Sequence, residues 1–124
     1  MTIKAMIVDD EPFARQDLRH MLAQHPEIHV SWEAAKMDEA QNLLATHCPD
    51  VVFLDIELRG GLGFELVAHL NLQKTKIVFV TGHAAYSEQA FEYGAIDCLT
   101  KPVASGSLTR SLEKLKHALA IRDG

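Results

Sequence analysis

Short apolar runs alternating with helix-period segments recur along the chain, and this alternation limits it to few folds. Ile3 to Val8 reads as a buried strand that stops at Asp9. Pro12 suits the first turn of a helix with the apolar stripe Ala14, Leu18, Met21 and Leu22, broken by His25-Pro26-Glu27. Ile28, Val30 and Trp32 alternate with polar residues at strand period. Met37, Ala40, Leu43 and Leu44 mark a second helix ended by Cys48-Pro49, and Val51 to Leu54 is a third apolar run capped by Asp55. Beyond Gly60, Gly61 and Gly63, the residues Phe64, Leu66, Val67 and Leu70 predict a third helix. Ile77 to Val80 is a fourth strand that ends at Thr81-Gly82. The stretch from about Tyr86 to Tyr93 is helical with Gly94 as C-cap, and Ile96 to Thr100 is a short fifth strand. Leu108, Leu112, Leu115 and Leu119 repeat at helical spacing, with Ser105 or Ser107 as the cap. Five β-α units with short connections predict a parallel sheet carrying helices on both faces, with no linker or repeat.

The totals agree with one domain spanning residues 1–124, at 48% hydrophobic and 23% charged residues. No run of about 18 apolar residues exists, so no membrane span is expected. The start, MTIKAMIVDD, lacks the long apolar region of a signal peptide, which predicts a cytoplasmic protein. Two cysteines, Cys48 and Cys98, fit a reducing compartment better than a disulfide scaffold. A net charge of -5 argues against nucleic-acid binding by this domain, because phosphate contacts need clustered Lys and Arg.

In open α/β sheets, ligands bind beyond the carboxyl ends of the strands. The first strand ends in Asp9-Asp10-Glu11, the third in Asp55, the fourth in Thr81, and the fifth just before Lys101-Pro102. Carboxylates gathered on one edge repel one another unless a cation sits among them. Hard oxygen ligands without a His/Cys pattern favour Mg²⁺ over zinc. Metal and ammonium together neutralise the oxygens of a transferring phosphoryl group, and a carboxylate can be its acceptor. Asp55, the single acid at the end of the most apolar strand, is the best candidate nucleophile.

The segments MIVDDEP, VVFLDIEL, VTGH and DCLTKP resemble, in order and spacing, the four signatures of response-regulator receiver domains of two-component systems. The resemblance runs from Ile3 to about Leu119 and implies a flavodoxin-like (CheY-like) fold with five helices and strand order 2-1-3-4-5. It further implies that Asp55 takes a phosphoryl group from a sensor histidine kinase. Mg²⁺ would be held by Asp10, Asp55 and the backbone carbonyl of Glu57, with Asp9 acting through a metal-bound water. Thr81 would bond a phosphoryl oxygen, Lys101 would pair with the phosphate, and the peptide before Pro102 would be cis. VTGHAAYSEQAFEYGAIDCLTKPV also resembles the receivers of LytTR-type regulators, which carry a DNA-binding domain after the receiver. The resemblance implies an output face, roughly Tyr86 to Ile121, that switches a partner or a homodimer and controls transcription through such a domain; a stand-alone receiver is the alternative.

The chain departs from the family at several positions. Cys98 stands where Tyr or Phe is usual and buries much less surface, so the usual coupling of Thr81 to that ring must be weakened or relayed otherwise. Arg59 replaces a frequent Pro, and with Gly60-Gly61 behind it the loop is expected to be loose. Glu57 and His83 occupy positions that tune acyl-phosphate lifetime in the family. Taken singly, Asp9-Asp10-Glu11 read equally well as helix-capping acids, and Lys101 as a solvated charge. A Mg²⁺-dependent phosphatase of the haloacid dehalogenase type also uses a strand-end Asp, but needs a second Asp two residues on followed by Thr; here Glu57 is there and no Thr follows.

Overall fold

The computed structural model describes Thr2 to Gly124. Its main sheet contains β1 (Ile3–Val8), β2 (Ile28–Ala34), β3 (Val51–Asp55), β6 (Lys76–Thr81) and β7 (Asp97–Thr100), all parallel, in the order β2-β1-β3-β6-β7. Counting only these five strands, this is the expected 2-1-3-4-5 order. The two remaining strands, β4 (Glu57–Leu58) and β5 (Gly61–Leu62), form a separate antiparallel hairpin just after β3. The segment expected to be loose is therefore a closed turn, with Gly60 at φ 94° supplying the left-handed residue it needs.

Because the sheet is covered on both sides, its strands read as near-continuous apolar runs, and alternate residues feed two cores. Ile3, Ala5 and Ile7 of β1, with Val51 and Phe53 of β3, face α1 (Pro12–Leu22) and α4 (Ser105–Asp123). Met6, Val8, Val52 and Leu54 face the other way, toward α2 (Met37–Thr46), the 3₁₀ helix Gly63–His69 and α3 (Ser87–Glu92). The leucines at 108, 112, 115 and 119 are all at most 1% exposed, so the predicted stripe is the seam of α4. Gly94, at φ 89°, closes α3 with bonds from Gly94 N–H to Phe91 O and from Ala95 N–H to Ala90 O, the Schellman arrangement.

Four local expectations are corrected. The third helix is 3₁₀ rather than α, which fits the three-residue spacing of Phe64, Val67 and Leu70. The helical stretch near Tyr86 starts earlier, as a 3₁₀ turn over Ala84–Tyr86 that continues into α3. Ala104 is the N-cap of α4 and no side chain caps it; Ser105 is already its first helical residue. Trp32 does not share a face with Val30. The β1–β2 register slips between Ala5 and Met6, leaving Ser31 as an extra residue, so Val30 joins the first core and Trp32 the second. Both cysteines are free.

Candidate functional site

Strand register brings the acids together. Val8 lies opposite Leu54, so the next residues, Asp9 and Asp55, leave the sheet side by side. Asp55 lies opposite Val80, and Thr81 follows one position on. Thr81 lies opposite Thr100, and the Lys101 N–H extends that ladder by donating to Thr81 O at 2.7 Å. The Lys101–Pro102 peptide is cis, as the resemblance implies.

One carboxylate oxygen each from Asp9, Asp10 and Asp55 lie within 4.8 Å of one another. Asp9 and Asp55 are buried, each 5% exposed. The Lys101 ammonium sits between them, 2.7 Å from Asp9 Oδ2 and 3.4 Å from Asp55 Oδ2. Backbone donors fix the other oxygens: Glu11 N–H donates to Asp9 Oδ1 at 2.9 Å, and Glu57 N–H to Asp55 Oδ1 at 3.3 Å. Thr81 is fully buried, and its Oγ1 accepts from the His83 N–H at 3.1 Å.

Burial, reinforced by the neighbouring Asp9 charge, pushes the Asp55 carboxyl up to about 6, against the opposing pull of Lys101 and the Glu57 N–H. Burial also works to lower the Lys101 ammonium, but Asp9, Asp55 and Glu11 together outweigh it and hold it above its ordinary value. With all three acids ionised, one ammonium leaves the cluster two negative charges in excess. All-oxygen donors with excess negative charge and no His or Cys ligand are what a hard divalent cation such as Mg²⁺ selects. The residues present therefore fit that ion.

Sequence reasoning missed three contributors. Gly63 forms part of the floor: a Cβ there would collide with the Asp55 carbonyl oxygen, and its N–H donates to Ile56 O at 2.6 Å. Arg15 donates to the Asp9 carbonyl at 2.6 Å and reaches Glu33 of β2 at 3.7 Å, bracing the acid turn from α1. Arg59, read only as a loop departure, lies 3.7 Å from Asp10 Oδ2. A turn glycine and two surface arginines carry no local pattern that marks such contacts. His83 Nε2 stands 3.0 Å from Glu57 Oε1, so the two positions singled out as family variables meet at the mouth of the site.

Cys98 packs, half-buried, against the second core, and burial together with Asp97 raises its thiol above the ordinary value. Aromatic rings gather nearby instead. Phe64 stacks on Tyr93 at 4.6 Å and meets Phe79 and Tyr86 edge-on at 5.1 and 5.9 Å, while Tyr86 lies 6.4 Å from the His83 ring.

A doubly wound parallel sheet that gathers three acids, a threonine and a lysine at one carboxyl edge has the layout of a receiver domain. The chain belongs to that family: the model of the response regulator receiver domain matches residues 5–113. It is 37% identical to sensory transduction protein LytT of Bacillus anthracis over 116 residues, which are 92% of this chain and 47% of that protein. It is 38% identical to transcriptional regulatory protein BtsR of Salmonella typhi over 122 residues, 98% of this chain and 51% of the relative. The LytT match agrees with the LytTR-type resemblance, and the chain spans about half the length of these relatives. Among solved structures, the REC domain of AraT from Geobacillus stearothermophilus superposes with a TM-score of 0.86 at 25% identity, covering 100% of both chains. A LuxR-family response regulator from Aurantimonas gives 0.81 at 32% identity, covering 100% of this chain and 87% of the other. The chain is thus a receiver domain of a two-component response regulator.

Proposed function

We propose that Asp55 is the phosphoacceptor of this receiver and that a sensor histidine kinase is its donor. The observation that carries this reading is the convergence of Asp9, Asp10 and Asp55 around the Lys101 ammonium at the strand ends. An Asp55 carboxylate oxygen attacks phosphorus; the new O–P bond forms as the P–N bond to the donor imidazole breaks, leaving an aspartyl phosphate. Asp10, Asp55 and the Glu57 carbonyl would hold Mg²⁺, with Asp9 reaching it through water. When bound, the ion supplies positive charge to the phosphoryl oxygens. Lys101 is placed to pair with the phosphate, and the Thr81 hydroxyl to donate to one of its oxygens. The Glu57–His83 pair flanks that route and is placed to influence the lifetime of the adduct.

Beside the acids, a groove of about 620 Å³ opens between α1 and Pro102–Val103. Phe13, 80% exposed, lines it, which suits docking of the kinase's histidine-bearing element. Phe91 of α3 and Ile121 of α4 are exposed, supporting the Tyr86 to Ile121 face as a switchable self-association or partner surface. The relative BtsR, a transcriptional regulatory protein about twice this chain's length, supports output through transcription in a longer protein, which we read as cytoplasmic. The net charge of -5 supports a receiver that does not itself contact nucleic acid. The domain promotes only its own phosphorylation and dephosphorylation. Incubation with acetyl phosphate and Mg²⁺, followed by intact-mass measurement, should add one phosphoryl group to wild type and none to Asp55→Ala. Catalytic turnover of phosphate esters without an adduct would support the phosphatase reading instead.

A further inference from the structure

The rim of the acid cluster carries one cation that the proposed chemistry does not use. Arg59 reaches Asp10 Oδ2 with its Nε at 3.7 Å, although its side chain is 83% exposed. Its backbone is well placed for this. Glu57 pairs with Leu62 and Leu58 with Gly61, so Arg59 stands at the tip of a closed hairpin whose stem is anchored by buried Leu58. The Glu65 carboxylate fills the space where a Gly61 side chain would stand, packing the base of that turn. Asp10 is the most exposed of the three acids, and among the described residues Lys101 pairs with Asp9 and Asp55 rather than with Asp10. Arg59 is thus the cation that faces Asp10, close enough to screen its charge from the rim.

We propose that Arg59 and the divalent cation compete for Asp10, so that this arginine sets the metal affinity of the site. The inference rests on the reading of Asp10 as a metal ligand. A carboxylate oxygen engaged by a guanidinium is less available to Mg²⁺, which demands close, well-oriented oxygens at about 2.0–2.1 Å. A guanidinium left beside Asp10 would also repel the ion. Because the side chain is exposed, Arg59 can withdraw into water without unfolding the hairpin, so it lowers affinity without blocking the site.

Isothermal titration of the whole chain with Mg²⁺ at low salt and fixed pH tests this. Arg59→Ala should bind about threefold to tenfold more tightly than wild type, the range expected of one solvent-screened charge near a divalent ion. Arg59→Lys, which keeps the charge, should stay within about twofold of wild type, and Arg59→Glu should bind more tightly still. The advantage of Arg59→Ala should shrink as KCl is raised. Equal or weaker binding by Arg59→Ala, or an Arg59→Lys that follows Arg59→Ala, would overturn the competition. A wild type that binds no Mg²⁺ would refute the metal reading itself, which keeps the two failures apart.

Discussion

With no cation bound, the ionised Asp55 is destabilising, because burial and the Asp9 charge favour its protonated form in the folded chain. An acid whose folded value lies above its unfolded one contributes no penalty below pH about 4. The penalty grows as pH rises to about 6 and is complete above that. Asp55→Asn removes it, so at pH 7 without metal this variant should be more stable than wild type by about 1–3 kcal/mol. The gap should close as pH falls toward 4, and Mg²⁺ should narrow it by binding wild type preferentially. Urea unfolding across that pH range checks the sign; a gap that widens on acidification would contradict it. Gly63 makes a different demand. A methyl group there meets the Asp55 backbone rather than a flexible side chain, so Gly63→Ala must shift the strand end or the 3₁₀ helix. A loss of about 1–3 kcal/mol is expected in the same measurement, together with weaker Mg²⁺ binding.

At the scale of elements, α4 seals one face through its leucines, and Leu115→Ala should destabilise the fold by about 2–5 kcal/mol in denaturant titration. Such stripes were legible because a buried helix face and a doubly covered strand leave strong periodic signals. The bulge at Ser31 was not, since period-two alternation continues through it in the sequence while the backbone skips a partner. Nor was the 3₁₀ character of Gly63–His69, where a mixed apolar spacing fits both helix types. The acids, Thr81 and Lys101 were readable because strand ends in a parallel sheet must share an edge. The contacts of Arg15, Arg59 and Gly63 depend on side-chain reach and backbone proximity across elements. With Cys98 in place of a ring, the His83 N–H that donates to Thr81 Oγ1 leads to a His83 ring beside Tyr86, which meets Phe64 edge-on, a candidate path out of the site. Tyr86→Leu should therefore reduce phosphorylation-dependent self-association more than Cys98→Tyr does, as read by sedimentation. Equal responses would remove Tyr86 from the path.

For the whole molecule, the Phe13 groove lies beside the acid pocket, and a second candidate surface carries the exposed Phe91 of α3 and Ile121 of α4. Phosphorylation can shift an equilibrium only by its differential preference for one state, so the second surface must differ between the two forms if it carries output. Replacing Phe91 and Ile121 with Ser should leave phosphorylation intact and abolish any phosphorylation-dependent association. Treating the acetyl phosphate-modified chain with borohydride reduces an aspartyl phosphate to homoserine, which peptide mass spectrometry locates. Homoserine at position 55 is predicted, in proportion to the phosphorylated fraction; homoserine at position 9 or 10, or a phosphoryl group that resists borohydride on a histidine, would contradict it.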